Sequence, residues 1–180
     1  MDLMEELTHV DIRHSYPSDE DNLMKMVNEV YEQCEGHLWI PNRKRLTKER
    51  FTAHHDNREL FVAEMRGSEV VGCVTMSNSG DDGKELGMLV VKPHCRRLGV
   101  GRMLVDHVIK AAREADCNYV KVELLYPTHQ PDPWKQILRR WYENMGFQFV
   151  KNEDLTLYFA DAADVVQEVT FSIFEKPLNG

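Results

Sequence analysis

The chain has 180 residues, of which 42% are hydrophobic and 29% charged, a length and composition typical of one globular domain with its own core. Its 22 lysines and arginines against 30 aspartates and glutamates give a net charge of −8, which argues against a protein that binds any nucleic acid through its phosphates. An acidic start, no long apolar run and four widely spaced cysteines argue against a targeting peptide, a membrane span and a disulfide framework. We therefore expect a single domain over residues 1–180 in the cytoplasm, with neither nucleic acid nor membrane as a partner.

The first half of the chain predicts a strand, two helices and then three strands. The strand is Val10–His14, and the helix after it has apolar residues at the spacing of one buried face: Leu23, Met26, Val27, Val30 and Tyr31. Gly36 ends that helix, and a second short helix is predicted at about Thr47–His55, with Thr47 as its N-cap. The three strands are Leu60–Met65, Glu69–Ser77 and Lys84–Val91. Their short connections favour antiparallel neighbours.

The second half alternates helices with strands. A helix at about Gly99–Ala115 has an apolar stripe formed by Leu104, Val108, Ala111, Ala112 and Ala115. A strand Tyr119–Leu125 comes next, then a helix Trp134–Met145 closed by Gly146, and then strands Phe147–Val150 and Val169–Phe174. The stretch Lys151–Glu168 is ambiguous. This order predicts an α/β fold, a mixed and mostly antiparallel central sheet with helices on both faces. Strands Lys84–Val91 and Tyr119–Leu125 should run parallel, because a helix joins them, and a ligand is expected at their carboxyl ends.

The turn after strand Lys84–Val91 is suited to a phosphate group. Gly99 and Gly101 let a ligand approach the backbone, and the unpaired N–H groups at a helix start attract anions. Arg96, Arg97 and Arg102 add positive charge to an otherwise acidic chain. A Walker loop would end in Gly-Lys-Ser/Thr, and Gly101 is followed by Arg102 and Met103. A dinucleotide fingerprint, Gly-x-Gly-x-x-Gly, would require glycine at position 104, which is Leu104. The sequence therefore excludes both motifs.

The segment Arg96–Gly101 has the pattern Arg-x-x-Gly-x-Gly, and here the chain resembles the GNAT superfamily of N-acetyltransferases. The pyrophosphate loop of that family is Gln/Arg-x-x-Gly-x-Gly/Ala and binds acetyl-coenzyme A (acetyl-CoA). The preceding strand, Glu85–Val91, is similar to the family's fourth strand, and Trp141–Phe147 is similar to its aromatic-Tyr-x-x-x-Gly-Phe signature. The resemblance covers about Leu60–Val150 well and implies a GNAT-like fold and an acetyl-CoA-dependent N-acetyltransferase.

The resemblance also implies which residues hold the co-substrate. Arg96 opens the loop, and the backbone amides that wrap the pyrophosphate are those of Arg97, Leu98, Gly99, Val100, Gly101 and Arg102. Backbone groups of Leu89 and Val91 pair with the pantetheine arm, and the amide of Leu89 or Val90 donates to the oxyanion. Where the family often has an asparagine that contacts pantetheine, this chain has Lys135.

Acetyl transfer to an amine requires a base for the amine and an acid for the departing thiolate. By the resemblance, Tyr142 is the acid, the alternative being a tyrosine that only packs in the core. Glu85 stands where several family members have a base glutamate, the alternative being a solvated carboxylate at a strand edge. In an ideal strand Glu85 shares a face with Leu89 and Val91, and four residues span about 13 Å, so a proton relay would require water or a bulge.

Two other kinds of chemistry are less well supported by the residues. Cys95 near the turn could form an acyl-enzyme, but no histidine is spaced to activate it. The histidines include a pair, His54 and His55, but no His-Glu-x-x-His motif, so no metal is predicted.

The acceptor is the part that the sequence predicts least. The resemblance implies that it enters between about Cys34–Leu46 and Lys151–Glu168. Trp39 and a basic cluster in the first segment suit an amine that carries a carboxylate, the alternative being that Arg43–Arg50 is only a solvated helix start. The acidic residues Asp154, Asp161 and Asp164 in the second segment suit a cationic amine. The net charge favours the cationic acceptor through steering.

We expect direct attack by a primary amine of a small molecule in a ternary complex. A protein or peptide acceptor and a noncatalytic acyl-CoA-binding module are the alternatives, and a homodimer is a further expectation because dimers are common in the superfamily.

Overall fold

The computed structural model describes residues 9–65, 69–160 and 162–178. The strands are β1 (Val10–His14), β2 (Leu60–Met65), β3 (Glu69–Ser79), β4 (Gly83–Val91), β5 (Tyr119–Pro127), β6 (Gln148–Glu153) and β7 (Val169–Pro177). The helices are α1 (Glu20–Glu35), α2 (Lys48–Asp56), α3 (Val100–Glu114) and α4 (Pro133–Asn144). The predicted elements are present, with bounds moved by no more than three residues. The short connection between strands Leu60–Met65 and Glu69–Ser77, which the sequence predicts as a turn at residues 66–68, lies outside the described residues.

The strands form one mixed sheet in the order β1-β2-β3-β4-β5-β7-β6. The central pair β4 and β5 is parallel, because α3 carries the chain back across the sheet between them, and the other neighbours are antiparallel. This arrangement confirms the predicted mixed, mostly antiparallel sheet.

Apolar layers cover both faces of the sheet. The alternation of side chains along β2 shows this directly: Leu60 and Val62 pack with α1 and α2, whereas Phe61 and Ala63 pack with α3. The α1 stripe is buried as predicted except at Tyr31, which is half-buried. The stripe predicted on α3 is wrong at its end, where Ala115 is exposed, because that residue is the C-cap. The buried face of α3 also includes Val105 and Ile109.

Glycine and polar caps set the ends of the helices. Thr47 caps α2 by accepting a hydrogen bond from the Arg50 amide, and Asp132 caps α4 by accepting one from the Lys135 amide. After α4 the chain reverses at Gly146, whose φ of 90° suits glycine at this C′ position. The helix-closing role predicted for Gly146 is therefore confirmed.

Strand β4 contains a bulge at its centre. Cys73 and Thr75 of β3 face Val90 and Gly87, so Val74 lies opposite two β4 residues, Met88 and Leu89. Met88 has a φ of 44°. The extra residue changes the faces of the strand: Leu86 packs under α3, whereas Met88 and Val90 pack under α1.

The bulge coincides with a split in the sheet. Residues Gly83–Leu86 of β4 pair with residues Tyr119–Val122 of β5, and the two strands do not pair beyond these residues. The edge of β4 that faces β5 therefore leaves the ladder just before the bulge, while its other edge stays bonded to β3. This split places backbone polar groups of β4 next to the turn that leads into α3.

Candidate active site

The turn between β4 and α3 presents backbone amides to open space. Arg97 and Gly99 have φ values of 64° and 85°, and left-handed residues in such turns form concavities of N–H groups that bind anions. The first N–H groups of α3 have no acceptor within the helix, and Gly99 at the N-cap has no side chain to supply one. A Cβ atom built on Gly99 meets nothing within 4 Å. The turn therefore fits the diphosphate that the resemblance implies.

The three arginines of this segment have different surroundings. Arg102 pairs with Asp106 one turn further along α3, with 2.9 Å between Nε and Oδ2, and Arg97 is exposed. Arg96 instead points between α1 and α4, where its Nη2 lies 3.8 Å from the Cys34 sulfur and its guanidinium lies 5.2 Å from the centre of the Trp134 ring. Arg96 is thus the arginine directed at the helices that flank the split.

A cavity of about 170 Å³ lies where β4 and β5 diverge. Its lining includes Glu85, Leu86, Gly87, Met88 and Leu89 of β4, Glu123, Leu124 and Leu125 of β5, and Lys135, Leu138 and Tyr142 of α4. The helix α1 and the loop after it add Tyr31, Glu35, Trp39, Arg43 and Arg45. Because residues from both faces of the sheet line one space, the split forms a passage through the sheet.

Tyr142 reaches this cavity from the layer under α3. Its ring packs edge-on against Trp141 and Phe147, with centroids 5.0 and 5.4 Å away, and the residue is only 3% exposed. Burial raises the pKa of its phenol, and the charge of an ionised Tyr31 would raise it further. The phenol therefore remains protonated across neutral pH and is a hydrogen-bond donor at the cavity wall. The packing role and the acid role weighed from the sequence are compatible at this position.

Glu85 lies on the opposite face of the sheet and belongs to a charged cluster. The Lys121 ammonium lies 2.7 Å from the Glu85 carboxylate and 2.8 Å from the carboxylate of Glu123. Strand β4 is central, so Glu85 is not the strand-edge residue of the alternative interpretation. The prediction that Glu85 shares a face with Leu89 and Val91 is also wrong, because the bulge turns those two residues toward α3.

Glu123 is a candidate that the sequence analysis missed. Its side chain is 12% exposed. Burial and the charge of Glu85 raise the pKa of the Glu123 carboxyl, although Lys121 and Arg45 act in the opposite direction. Burial would lower the pKa of Lys121, but the two carboxylates outweigh it and leave that pKa raised. The signal in the sequence was the alternation in β5, where charged residues at 121 and 123 form the second face of an otherwise apolar strand.

The two predicted acceptor segments contribute unequally to the cavity. Trp39, Arg43 and Arg45 of the first segment line it, whereas Asp154 and Asp164 of the second do not. Asp154 caps the turn at Thr156, the backbone carbonyl of Asp164 accepts from the Ile40 amide, and Asp161 lies outside the described residues. The second segment contributes the apolar Phe159 instead.

Lys135 occupies the place where the family often has asparagine. It is 6% exposed, and its ammonium forms an ion pair with Glu35 at the end of α1. The pair ties α4 to α1 at the cavity wall. A buried lysine of this kind needs such a partner, because an unpaired charge there would be costly.

The remaining reactive side chains lie elsewhere. Cys95 is 1% exposed and packs in the layer under α3, outside the cavity lining. His54 bonds to Glu59 and His55 to Ser15, each at 2.9 Å. Within residues 9–65, 69–160 and 162–178, no group of three or more His, Cys, Asp or Glu side chains is placed to hold a metal ion. In the same ranges, no helix is both long enough and apolar enough to cross a membrane.

Comparison with known proteins agrees with this geometry. The family model of the acetyltransferase (GNAT) domain matches residues 56–149, more than half of the chain. N-acetylglutamate synthase from Neisseria gonorrhoeae, complexed with coenzyme A and N-acetyl-glutamate, has a TM-score of 0.68 and 20% identity over 95% of this chain and 35% of that one. A Salmonella typhimurium protein solved with its cofactor acetyl-CoA has a TM-score of 0.68 and 15% identity over 95% of both chains. The ribosomal-protein-S18-alanine N-acetyltransferase of Escherichia coli has a TM-score of 0.66 and 16% identity over 95% of both. No curated protein matches the chain.

The split sheet and the amide-lined turn define the class of protein as an acyl-CoA-dependent acyltransferase. The chain belongs to the GNAT acetyltransferase family, and acetyl-CoA is the donor that such enzymes use. These findings confirm the predicted family, fold class and co-substrate. At identities of 15–20% the structural neighbours show the fold and do not identify an acceptor.

Proposed function

We propose that this protein transfers the acetyl group of acetyl-CoA to a primary amine of a small molecule by direct attack in a ternary complex. The observation that carries the proposal is that one cavity at the sheet split joins Tyr142 on one side to Glu85 and Glu123 on the other. A binding module would not require an acid and a base on opposite walls of the same space. We also propose a cytoplasmic location, which is supported by four cysteines that form no disulfide.

The residues that would hold acetyl-CoA follow from the turn and the split. The amides from Arg97 to Arg102 would bind the diphosphate, with Arg96 beside them. The unpaired edge of β4 at Leu89, Val90 and Val91 would accept the pantetheine arm as an added strand. When bound, acetyl-CoA supplies the acetyl group as a thioester, so that a C–N bond forms as the C–S bond breaks.

The charged groups of the cavity account for the protons. An acceptor enters as an ammonium ion with three protons on nitrogen and leaves as an amide with one. The Glu85 and Glu123 pair would pass the first proton to solvent and so free the nitrogen lone pair for attack. Tyr142 would donate its phenolic hydrogen to the departing sulfur and be reprotonated by the second proton lost from nitrogen, which yields the free thiol. An amide of β4 at Leu89 or Val90 would stabilise the oxyanion.

Contacts between the two acceptor segments support a small acceptor. Trp39 pairs with Val165 in an isolated antiparallel bridge, the Ile40 amide donates to the Asp164 carbonyl at 2.8 Å, and the Val166 amide donates to the Leu38 carbonyl at 3.0 Å. These bonds join the two segments beside the cavity that Trp39 lines. The volume of about 170 Å³ is also below the roughly 300–1,000 Å³ of pockets for drug-sized ligands.

Tyr142→Phe tests the catalytic part of the proposal. We expect turnover, measured as thiol release with a panel of amines, to fall by about 10²- to 10⁴-fold, with little change in the acetyl-CoA Kd. Tyr119→Phe is the matched control, because Tyr119 bonds to the Ser79 carbonyl at the other end of β5 and should keep wild-type turnover. Unchanged turnover in Tyr142→Phe would leave this tyrosine a packing role.

The same assay separates the alternative functions. Acetyl-CoA binding without turnover of any amine would indicate a noncatalytic acyl-CoA-binding module. Turnover of peptides but of no small amine would indicate a protein or peptide N-acetyltransferase.

A further inference from the structure

Tyr31 brings a second phenol to the cavity at the sheet split. Of the apolar residues in the α1 stripe, Tyr31 is the one that the core does not fully bury, and it lines the cavity. Tyr142 lines the same cavity from the layer under α3, on the other face of the sheet. The two phenols are close enough that the charge of an ionised Tyr31 would act on Tyr142. The cavity therefore has a tyrosine from α1 on one side and a tyrosine from α4 on the other.

Tyr31 lies beside the bulge of β4. Its ring packs against the apolar cluster under α1, to which Met88 and Val90 of β4 belong. Met88 and Leu89 also line the cavity, and an amide of Leu89 or Val90 is the backbone group that we assign to the oxyanion. Tyr31 thus meets the cavity at the segment of β4 where the thioester carbonyl would lie.

The polar neighbours of Tyr31 leave its phenolic hydrogen for a ligand. The Arg45 guanidinium donates a hydrogen bond to the Tyr31 oxygen, and its central carbon lies 5.2 Å from the centre of the ring. A guanidinium has donors and no acceptor, so this bond does not use the hydrogen of the phenol. Glu35 acts on the phenol through its charge, and its carboxylate is paired with the Lys135 ammonium.

Tyr31 is a hydrogen-bond donor at neutral pH. Burial raises the pKa of its phenol and the charge of Glu35 acts in the same direction, whereas Arg45 and Lys135 oppose the rise without cancelling it. The phenol therefore keeps its proton. Because its oxygen already accepts a hydrogen bond from a cation, the O–H group is polarised and is a stronger donor than an isolated phenol.

We propose that Tyr31 is a second oxyanion donor, which places its phenolic hydrogen on the thioester carbonyl oxygen beside the β4 amide while Arg45 orients the phenol. This inference rests on the proposed function and adds a catalytic residue to it. As the C–N bond forms, an electron pair of the carbonyl moves onto oxygen, and it returns as the C–S bond breaks. Tyr31 keeps its proton throughout. A carbonyl oxygen accepts two hydrogen bonds, so the amide and Tyr31 can share it while Tyr142 serves the sulfur.

Tyr31→Phe removes the donor and keeps the ring. We expect kcat, measured as thiol release with the best amine of the panel, to fall by about 10²- to 10³-fold, as for the loss of one oxyanion donor. The KM for the amine and the acetyl-CoA Kd should change little. Tyr16→Phe is the matched control, because Tyr16 lies just before α1, is 54% exposed and does not line the cavity, and it should keep wild-type turnover. Wild-type kcat in Tyr31→Phe, or a loss confined to the KM for the amine, would overturn the proposal.

The infrared band of the thioester carbonyl reports the proposed contact itself. A hydrogen bond weakens a C=O bond and lowers its stretching frequency. With acetyl-CoA isotopically labelled at the acetyl carbonyl, the band of the bound co-substrate should therefore lie at higher frequency in Tyr31→Phe than in the wild type. Tyr142→Phe should leave the band in place, because Tyr142 is assigned to the sulfur. An identical band in the wild type and Tyr31→Phe would contradict a bond from Tyr31 to this oxygen.

The pH profile separates a direct role of Tyr31 from one through its neighbour. Arg45 also acts on the Glu123 carboxyl, so a tyrosine that only held Arg45 in place would, once replaced, move the acidic limb of the kcat/KM profile. We expect Tyr31→Phe to leave that limb where it is, and a displaced limb would refute the direct role.

The outcomes distinguish this inference from the function on which it rests. Loss of turnover in Tyr142→Phe but not in Tyr31→Phe would refute the second donor and leave an acetyltransferase. Binding of acetyl-CoA by the wild type with no turnover of any acceptor would refute both.

Discussion

Replacing Gly99 should lower both the stability of the fold, through backbone strain, and the affinity for acetyl-CoA. Gly99 has a φ of 85° at the N-cap of α3. An L-residue in this left-handed conformation costs about 1–2 kcal/mol. Since a Cβ there meets no atom within 4 Å, no clash adds to that strain. We therefore expect Gly99→Ala to lower the free energy of unfolding by about 1–2 kcal/mol in urea denaturation.

The same open space determines the effect on acetyl-CoA. A side chain at Gly99 enters the space in front of the amides, where the diphosphate would lie. Loss of even one hydrogen bond to a charged oxygen costs about 1.5–3 kcal/mol, so the acetyl-CoA Kd measured by calorimetry should rise by at least about tenfold.

Two further variants separate strain from obstruction. Asparagine tolerates the left-handed region better than alanine, so Gly99→Asn should cost less stability than Gly99→Ala and still weaken acetyl-CoA binding. Gly101 lies inside α3, and its Cβ would make ordinary 3.7 Å contacts with Trp141 and Val91. Gly101→Ala should therefore keep its stability or gain up to about 1 kcal/mol, so any loss of acetyl-CoA affinity in this variant would not come from backbone strain. Wild-type affinity in both Gly99 variants would refute the assignment of this turn to the diphosphate.

The titratable groups give two more predictions. If Glu123 is the base, Glu85→Gln should move the acidic limb of the pH profile of kcat/KM to lower pH, because Glu85 is one cause of the raised pKa of Glu123. If Glu85 is the base, that limb should vanish in Glu85→Gln together with most of the activity. A profile identical to that of the wild type between pH 5 and 9 would exclude both roles. Burial lowers the pKa of His14 and His107 below the ordinary 6.5, so the unfolded chain binds more protons just below pH 6.5 and the free energy of unfolding should fall as the pH drops through that range. His107→Leu should reduce this pH dependence in urea denaturation at pH 7.5 and 5.5, whereas the exposed His94→Asn should keep it, and equal slopes in the two variants would contradict the explanation.

Local patterns were enough to predict the elements of the fold. The i, i+3, i+4 spacing of α1, the cap at Thr47 and the glycine at 146 are short-range signals, and the structure has the elements they predict. The stripe on α3 was misplaced toward Ala115, because alanine is small enough to be buried or exposed and its spacing does not distinguish the two. Val105 and Ile109 widen the buried face, since α3 packs on a sheet and not along a single seam.

The site was only partly predictable for a physical reason. The turn to which we assign the diphosphate is contiguous in the sequence, so its residues could be found from a motif. The bulge at Met88 and Leu89 has no comparable signal, because these are ordinary strand residues and the extra residue is defined by the register with β3. Glu123 was overlooked because a charged residue in a strand usually faces water, and its burial depends on Lys121, Glu85 and the loop of Arg45.

The bulge in β4 and the split between β4 and β5 are physically connected. A bulged strand twists and bends away from its neighbour, and β4 stops pairing with β5 after Leu86, just before its extra residue. The backbone groups released by this divergence would be costly if they were buried without partners. These backbone groups therefore require hydrogen bonds to water or to an extended ligand. The turn at Arg97 and Gly99 begins where β4 ends. A β4 without the bulge could pair with β5 along its length, and the same turn would then have no groove to receive the arm of a bound acetyl-CoA.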